Sequence, residues 1–336
     1  MTVSHKEIAF EDAIEYHLLE NGYLKRDTKD FDRKEALDPS IFFKFLESTQ
    51  KKNLDKIKNH YKENFKEEIL KRFNIEINEK GMIETLRKGI TLIDITLLLV
   101  HFKPANNLND DTLVLYQQNI LTITRQVKFD PKSEKSLDMV ISVNGIPVVT
   151  IELKNKFTSQ NVNHAIKQYK ETRDPKLTLF KFNTRSLIHF AVGPDEVYMA
   201  TELKWSDSYF LPFNKGTGMG AGNPNNPDGY KTDYLWKEVL QRDSLLEILG
   251  KFIHLFEEKV EVDGKKKTNR ILIFPRYHQL NAVRKLTQDV HQRGAGGEYL
   301  IQHSAGSGKS NSISWLTHQL SNLHDTSDKL IFDSAR

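Results

Sequence analysis

Apolar positions along the 336-residue chain change period several times, and the changes mark out its elements. Phe10, Ala13, Ile14 and Leu18 recur at helical spacing, with Asn21-Gly22 as a stop. A lysine-rich block over 39–88 keeps that period, as at Ile41, Phe42, Phe45 and Leu46. The pattern then turns to short β-branched runs over 90–102 and 120–129, followed by two more on either side of Asn144-Gly145. Helical spacing returns over 160–172, through Val162, Ala165, Ile166 and Tyr169. Runs at 187–192 and 196–201 flank Gly193-Pro194-Asp195 as a hairpin. The nineteen residues 215–233, rich in Gly, Asn and Pro, are too many for a simple connector. Leu235, Val239, Leu246, Leu249, Ile253 and Phe256 predict a helix over 234–258, and a short hairpin about Asp263-Gly264 follows. Apolar runs at 299–302 and 329–333 bracket a glycine loop and a helix carrying Ile313, Leu316 and Leu320. Helix, strands, helix, strands is an α/β arrangement.

Composition narrows the setting. The absence of cysteine excludes disulfides and zinc–thiolate sites and suits a reducing cytosol. Acidic residues from Glu7 onward interrupt any signal peptide, and the longest apolar run, around Leu97-Leu98-Leu99-Val100, is far short of a membrane span. A cytoplasmic protein with no membrane partner is expected. A net charge of +4 does not mark the chain as a nucleic-acid binder, so any such role must be read from local sites.

The first such site is in SLDMVISVNGIPVVTIELKN, where Asp138 is followed fourteen residues later by Glu152-Leu153-Lys154. Charges inside runs that read as buried strands need partners or a metal. Glu152 and Lys154 are two apart on a strand and leave the same face. Two carboxylates can hold a hard divalent cation such as Mg²⁺, and a lysine beside them can orient and polarise water. A structural ion pair is the plainer alternative. The spacing resembles that of the PD-(D/E)xK nucleases, with Leu137 in place of the motif's Pro. In those nucleases a glutamate on the first helix often faces the metal, which makes Glu11 a candidate beside the alternative of a solvated surface glutamate. Gln168 and Tyr169 resemble the Gln/Tyr motif that follows such strands, although here the two are adjacent, and Tyr169 fits the core stripe equally well.

The second site is His303-Ser304-Ala305-Gly306-Ser307-Gly308-Lys309-Ser310. A strand, a glycine loop and a helix form the context of a phosphate-binding loop. Gly306, Ser307 and Gly308 would turn backbone N–H groups toward phosphate, Lys309 would reach the β/γ-phosphates of ATP, and Ser310 would ligate Mg²⁺. The sequence resembles motif I of superfamily 2 helicases, with His303 in place of the first Gly. Arg276-Tyr277-His278-Gln279 resembles their Q motif, in which Gln279 would read adenine.

A nuclease motif followed by a helicase-type ATP site resembles the N-terminal part of the R (restriction and translocation) subunit of type I restriction endonucleases. Asn144-Gly145-Ile146-Pro147, the segment FLPFNKG…GAGNPNNPDGYKTDYLW and Arg242-Asp243-Ser244-Leu245-Leu246 add to the likeness. The resemblance implies a PD-(D/E)xK-type mixed sheet flanked by helices over 1–258, with 39–88 as an elaboration packed on that core. A linker or hairpin over 259–275 and the first part of a RecA-like P-loop domain over 276–336 complete the expected plan. No Asp-Glu-x-His element follows the loop, so a fragment without ATPase turnover is expected. The implied partners are double-stranded DNA and the methyltransferase and specificity subunits of the complex. Competing readings are a DNA-translocating ATPase or an assembly module whose D…ExK strands are structural. Segment 215–233 is either a plain surface loop or a contact for DNA or motor.

The nuclease reading carries a geometric requirement. A simple two-residue turn at Asn144-Gly145 would pair Val143 with Ile146 and Asp138 with Ile151, sending Asp138 and Glu152 to opposite faces. A shared cation requires a shift of one, and Pro147, which cannot donate to the ladder, marks the place for a bulge. Asp138 is then expected opposite Glu152, with the carboxylates within about 6 Å.

Overall fold

The computed structural model describes residues 5–105, 109–154, 161–218, 220–262, 265–324 and 329–332. Helix α1 (His5–Glu20) is followed by strand β1 (Tyr23–Arg26). Three helices, α2 (Pro39–Tyr61), α3 (Phe65–Lys80) and α4 (Met82–Lys88), make up the lysine-rich block. Asp38 caps α2 by accepting from the Ile41 N–H, and Pro39 stands at its first position, where no N–H is needed. The run at 90–102 yields only a short hairpin, β2 (Ile90–Leu92) and β3 (Ile95–Leu97), because Ile93 and Asp94 both take positive φ and reverse the chain.

After α5 (Asp110–Gln117) come β4 (Leu121–Lys128), β5 (Ser136–Val143) and β6 (Ile146–Leu153). Helix α6 (Val162–Thr172) then carries the chain to β7 (Ile188–Val192), β8 (Val197–Ala200) and β9 (Leu211–Pro212). One seven-stranded mixed sheet runs in the order β1-β4-β5-β6-β7-β8-β9. Its β1–β4 and β6–β7 pairs are parallel and its other pairs antiparallel. A parallel neighbour needs a crossover, and α6 is part of the one between β6 and β7. Every residue of β6 is buried, as a central strand covered on both faces requires.

The turn between β5 and β6 is pinned from outside. Asn144 (φ 52°) and Gly145 (φ 81°) form the two-residue reversal, and a Cβ on Gly145 would stand 2.4 Å from the Asp38 carbonyl. The Asn144 side chain accepts from Ile120 N and donates to the Leu99 carbonyl and to Asn119 Oδ1.

The long segment 215–233 is a packed strap in its described residues. Thr232 Oγ1 donates to the Gly193 carbonyl, Asn223 bridges Lys215 N and the Asp195 carbonyl, and Tyr230 lies 4.5 Å from the Phe10 ring. Beyond it the predicted helix over 234–258 is corrected. Two π-helical turns (Leu235–Val239, Ile248–Phe252) flank α7 (Arg242–Glu247), and the chain leaves helix at Ile253. It then enters β10 (His254–Val262), paired along its length with β11 (Lys265–Ile273). Helical spacing at Ile253 and Phe256 is overridden there by nine cross-strand partners; Asp263 and Gly264 lie outside the described residues.

Helices α8 (Tyr277–Arg293) and α9 (Lys309–Leu320) end the fold. Trp315 Nε1 donates to the Phe252 carbonyl, Arg284 pairs with Glu247, and Tyr277 OH donates to Glu238, so this unit is fastened to the preceding helices. Of the strands predicted at 299–302 and 329–333, the first is irregular, and the described residues 329–332 of the second contribute one isolated bridge, His324↔Leu330. A strand exists only with a ladder partner, and among the described residues none lies beside 299–302.

Candidate active site

The β5–β6 ladder runs Val143↔Ile146 and Ser142↔Pro147, shifts by one between Ile141 and Ser142, and resumes as Ile141↔Val149, Val140↔Thr150 and Met139↔Ile151. Val148 is the extra residue, next to Pro147. The next step of this register sets Asp138 beside Glu152, as a shared site requires. The row extends outward, since Glu152 pairs with Ala191 on β7 and Gln126 occupies the matching position on β4, between Arg125↔Met139 and Val127↔Leu137.

Glu152 is fully buried. Nε and Nη2 of Arg173 both lie 2.6 Å from its Oε1, while Oε2 is buried with no hydrogen-bond partner. Burial first, and then the Asp138 charge, push the Glu152 carboxyl well above its usual pKa, against the pull of Arg173 and Lys154. Asp138 Oδ2 accepts from the Leu153 N–H at 2.7 Å and lies 3.9 Å from Lys154 Nζ, which also donates to the Leu153 carbonyl.

Glu11 is buried, not a solvated surface group, and both its oxygens are held from β4. Arg125 reaches Oε2 through Nε and Nη2, and Gln126 Nε2 donates to Oε1. Burial raises its pKa, and the Asp138 charge adds to the rise against the hydrogen bond from Arg125. Tyr169 is buried, with its hydroxyl 2.9 Å from Thr150 Oγ1, which in turn lies 2.7 Å from His189 Nδ1. Burial and the Glu152 charge raise the Tyr169 pKa well above the usual value, and burial lowers His189 to about 3. Gln168 is half-buried on the neighbouring flank of α6.

Sequence reasoning missed Arg173, Arg125 and Gln126. Arg173 had a signal: it follows Tyr169 by four, one turn along the helical stripe that faces the sheet, and a glutamate in an all-apolar strand demands a cation. Among the described residues no three His, Asp or Glu side chains form a ready-made metal cage. Two carboxylates, one with a free buried oxygen, nevertheless match what Mg²⁺ takes from protein, because that ion keeps waters and binds substrate phosphate.

At the other site the loop enters α9 with Gly306 (φ 70°) and Gly308 (φ 79°) in left-handed conformation. Lys309 Nζ donates to the Ser304 carbonyl, and Ser307 Oγ is buried without a partner. Ser310 is exposed in the first turn of α9. The structure brings Gln279 to the loop: its Nε2 donates to the Gly308 carbonyl and its Oε1 accepts from Arg276 N. A cavity of about 300 Å³ beside them is lined by Gln279, Gly306, Ser307 and Gly308 on one side and Leu211 and Tyr209 on the other.

A family model described as "Type I restriction enzyme R protein N terminus" matches residues 6–208. The "Putative type I restriction enzyme MjaVIIIP endonuclease subunit" of Methanocaldococcus jannaschii is 23% identical over 289 residues, which are 81% of this chain and 25% of that protein. The type I restriction enzyme SauCOLORF180P endonuclease subunit of Staphylococcus aureus (strain COL) is 24% identical over 223 residues, covering 64% of this chain and 21% of that protein. The chain thus spans about a quarter or less of the length of these relatives.

Proposed function

The chain belongs to the family of type I restriction enzyme R protein N-terminal regions, and from that premise we propose that its mixed sheet is a Mg²⁺-dependent DNA endonuclease joined to the start of an ATP-driven translocating motor. The observation that carries this reading is the one-residue shift at Val148, which sets Asp138 beside Glu152 while Glu152 Oε2 remains unpartnered.

Asp138 and Glu152 would hold the Mg²⁺, which when bound supplies charge stabilisation to the scissile phosphate and makes water a better nucleophile. Lys154, tethered near Asp138, brings positive charge to the phosphorane that develops as water adds and the P–O bond breaks. Arg173 fixes Glu152 through one oxygen and so orients the other. The Tyr169–Thr150–His189 chain locks α6 onto β6 two residues from Glu152, and a neutral His189 adds no competing charge there.

In the second unit Gly306 to Gly308 would cradle phosphates, Lys309 would contact the β/γ-phosphates, Ser310 would ligate Mg²⁺ and Gln279 would recognise adenine. The same polar atoms of Gln279 hold Arg276 N and the Gly308 carbonyl, so reading adenine would mean exchanging those bonds. The partners of the whole protein would be double-stranded DNA and the methyltransferase and specificity subunits. The test is Asp138→Ala in the assembled complex, with DNA cleavage and ATP hydrolysis followed together. Cleavage is expected to vanish while ATP hydrolysis persists, and a variant that still cuts would overturn the assignment.

A further inference from the structure

Strand β4 changes face at Gln126. Leu121 and Ile123 pack into the main core with α1, whereas Val127, which shares their parity, packs on the opposite side with Phe129 and Tyr169. Strand β5 does the same one row across, with Met139 and Ile141 in the main core and Leu137 in the second cluster. Gln126 takes φ 49°, in the left-handed region that a glutamine in a strand rarely visits. Such strain persists only where its surroundings enforce it.

The inversion has two local results. In a regular strand Arg125 and Gln126 would point to opposite faces. Here both reach the same carboxylate, Arg125 on Glu11 Oε2 and Gln126 on Glu11 Oε1. The Gln126 amide is itself oriented, because its Oε1 accepts from Ser136 Oγ at 2.9 Å, leaving Nε2 to donate to Glu11 at 2.9 Å. The inversion also falls in the row of Asp138 and Glu152. An acid from the α1 side of the sheet (Glu11), bonded to Gln126, and one from the α6 side (Glu152) are therefore both anchored in the row that contains Asp138.

We propose that Gln126 is a positioning residue of the metal site: its left-handed backbone and its amide fix Glu11 at the row shared by Asp138 and Glu152, so that Glu11 adds its negative charge to the surroundings of the bound divalent cation without ligating it. This rests on the nuclease reading above. Supporting groups of this kind change metal affinity by about 10–100-fold when removed.

The test measures Mn²⁺ binding to the 336-residue chain by the electron paramagnetic resonance signal of free Mn²⁺, together with the Mg²⁺ concentration that half-saturates cleavage in the assembled complex. Gln126→Gly accepts the positive φ without strain, so it separates the amide from the fold, and Gln126→Asn keeps an amide too short to reach Glu11. Both are expected to weaken Mn²⁺ binding about tenfold or more and to shift the Mg²⁺ requirement upward by a similar factor. Gln126→Gly combined with Glu11→Gln should be no weaker than Glu11→Gln alone. Wild-type Mn²⁺ affinity in both Gln126 variants, with Asp138→Ala clearly impaired, would overturn the role of Gln126 and leave the nuclease reading standing. Additive losses in the double variant would overturn it as well. Wild-type Mn²⁺ affinity in Asp138→Ala would remove the nuclease reading and this inference together.

Discussion

Arg173 meets Glu152 through a single carboxylate oxygen, with both Nε and Nη2 at 2.6 Å from Oε1, and the guanidinium also donates to the Ser136 carbonyl and lies over the Phe129 ring. Both partners are buried. Removing one member of such a pair strands the other charge, at a cost of about 3–5 kcal/mol, whereas replacing both by apolar groups is often close to neutral. Arg173→Met is therefore expected to lower the unfolding free energy by about 3 kcal/mol or more, and Glu152→Met/Arg173→Met to recover most of it. Urea denaturation of the two variants measures the difference.

Lys154→Ala should abolish cleavage by the assembled complex while ATP hydrolysis stays near wild type. The lysine adjoins Asp138 just beyond the end of β6, and the glycine loop 306–308 lies in the α8–α9 unit. Removing a single charge-stabilising group from a developing transition state costs about 10²–10³ in rate, well within the range of a plasmid-nicking assay. Equal loss of both activities would indicate that the change unfolds the chain.

His189 makes the sheet acid-sensitive. Its pKa falls from 6.5 to about 3 on burial, so between those values the unfolded chain binds a proton that the folded chain does not. Its contribution is complete above pH 6.5 and is lost as pH falls toward 3. Measured by denaturation at pH 7.5, 6 and 5, wild-type stability should drop more steeply than that of His189→Gln. The difference in slope should approach about 1.4 kcal/mol per pH unit below pH 6. Parallel slopes would mean that His189 protonates in the folded state.

Gly145→Ala tests the turn that sets the register. The new methyl would sit 2.4 Å from the Asp38 carbonyl and 2.7 Å from Phe42 N, both backbone atoms, at φ 81°. A loss of about 2 kcal/mol or more in thermal or urea unfolding is expected, beyond the roughly 1 kcal/mol that positive φ alone costs a non-glycine residue.

The sequence made the row of Asp138 and Glu152 legible because one requirement, a shared face, could be met only by an odd shift, and Pro147 marked where the shift could fall. Helices and strands with a strong period, such as α1, α6 and the β7–β8 pair, were likewise readable. What escaped depends on partners distant in sequence. Nothing local tells that Arg125 and Gln126 will share Glu11, since that follows from one residue adopting a left-handed conformation inside a strand. The helix expected to continue through Phe256 yielded to β10 for a related reason: cross-strand pairing with β11 outweighs a weak helical period. The run at 299–302 shows the converse, an apolar segment with no ladder partner among the described residues, where Leu300 stands exposed.

A cation shared by Asp138 and Glu152 separates a nuclease site from a purely structural ion pair. Crystals of the chain soaked in Mn²⁺ and measured at the manganese absorption edge test for it directly. The expected result is an anomalous peak within about 2.0–2.6 Å of an Asp138 carboxylate oxygen and of Glu152 Oε2, the oxygen that Arg173 leaves free. Carboxylates that diverge, or a Mn²⁺ peak elsewhere with none between these two at concentrations that sustain cleavage, would contradict it.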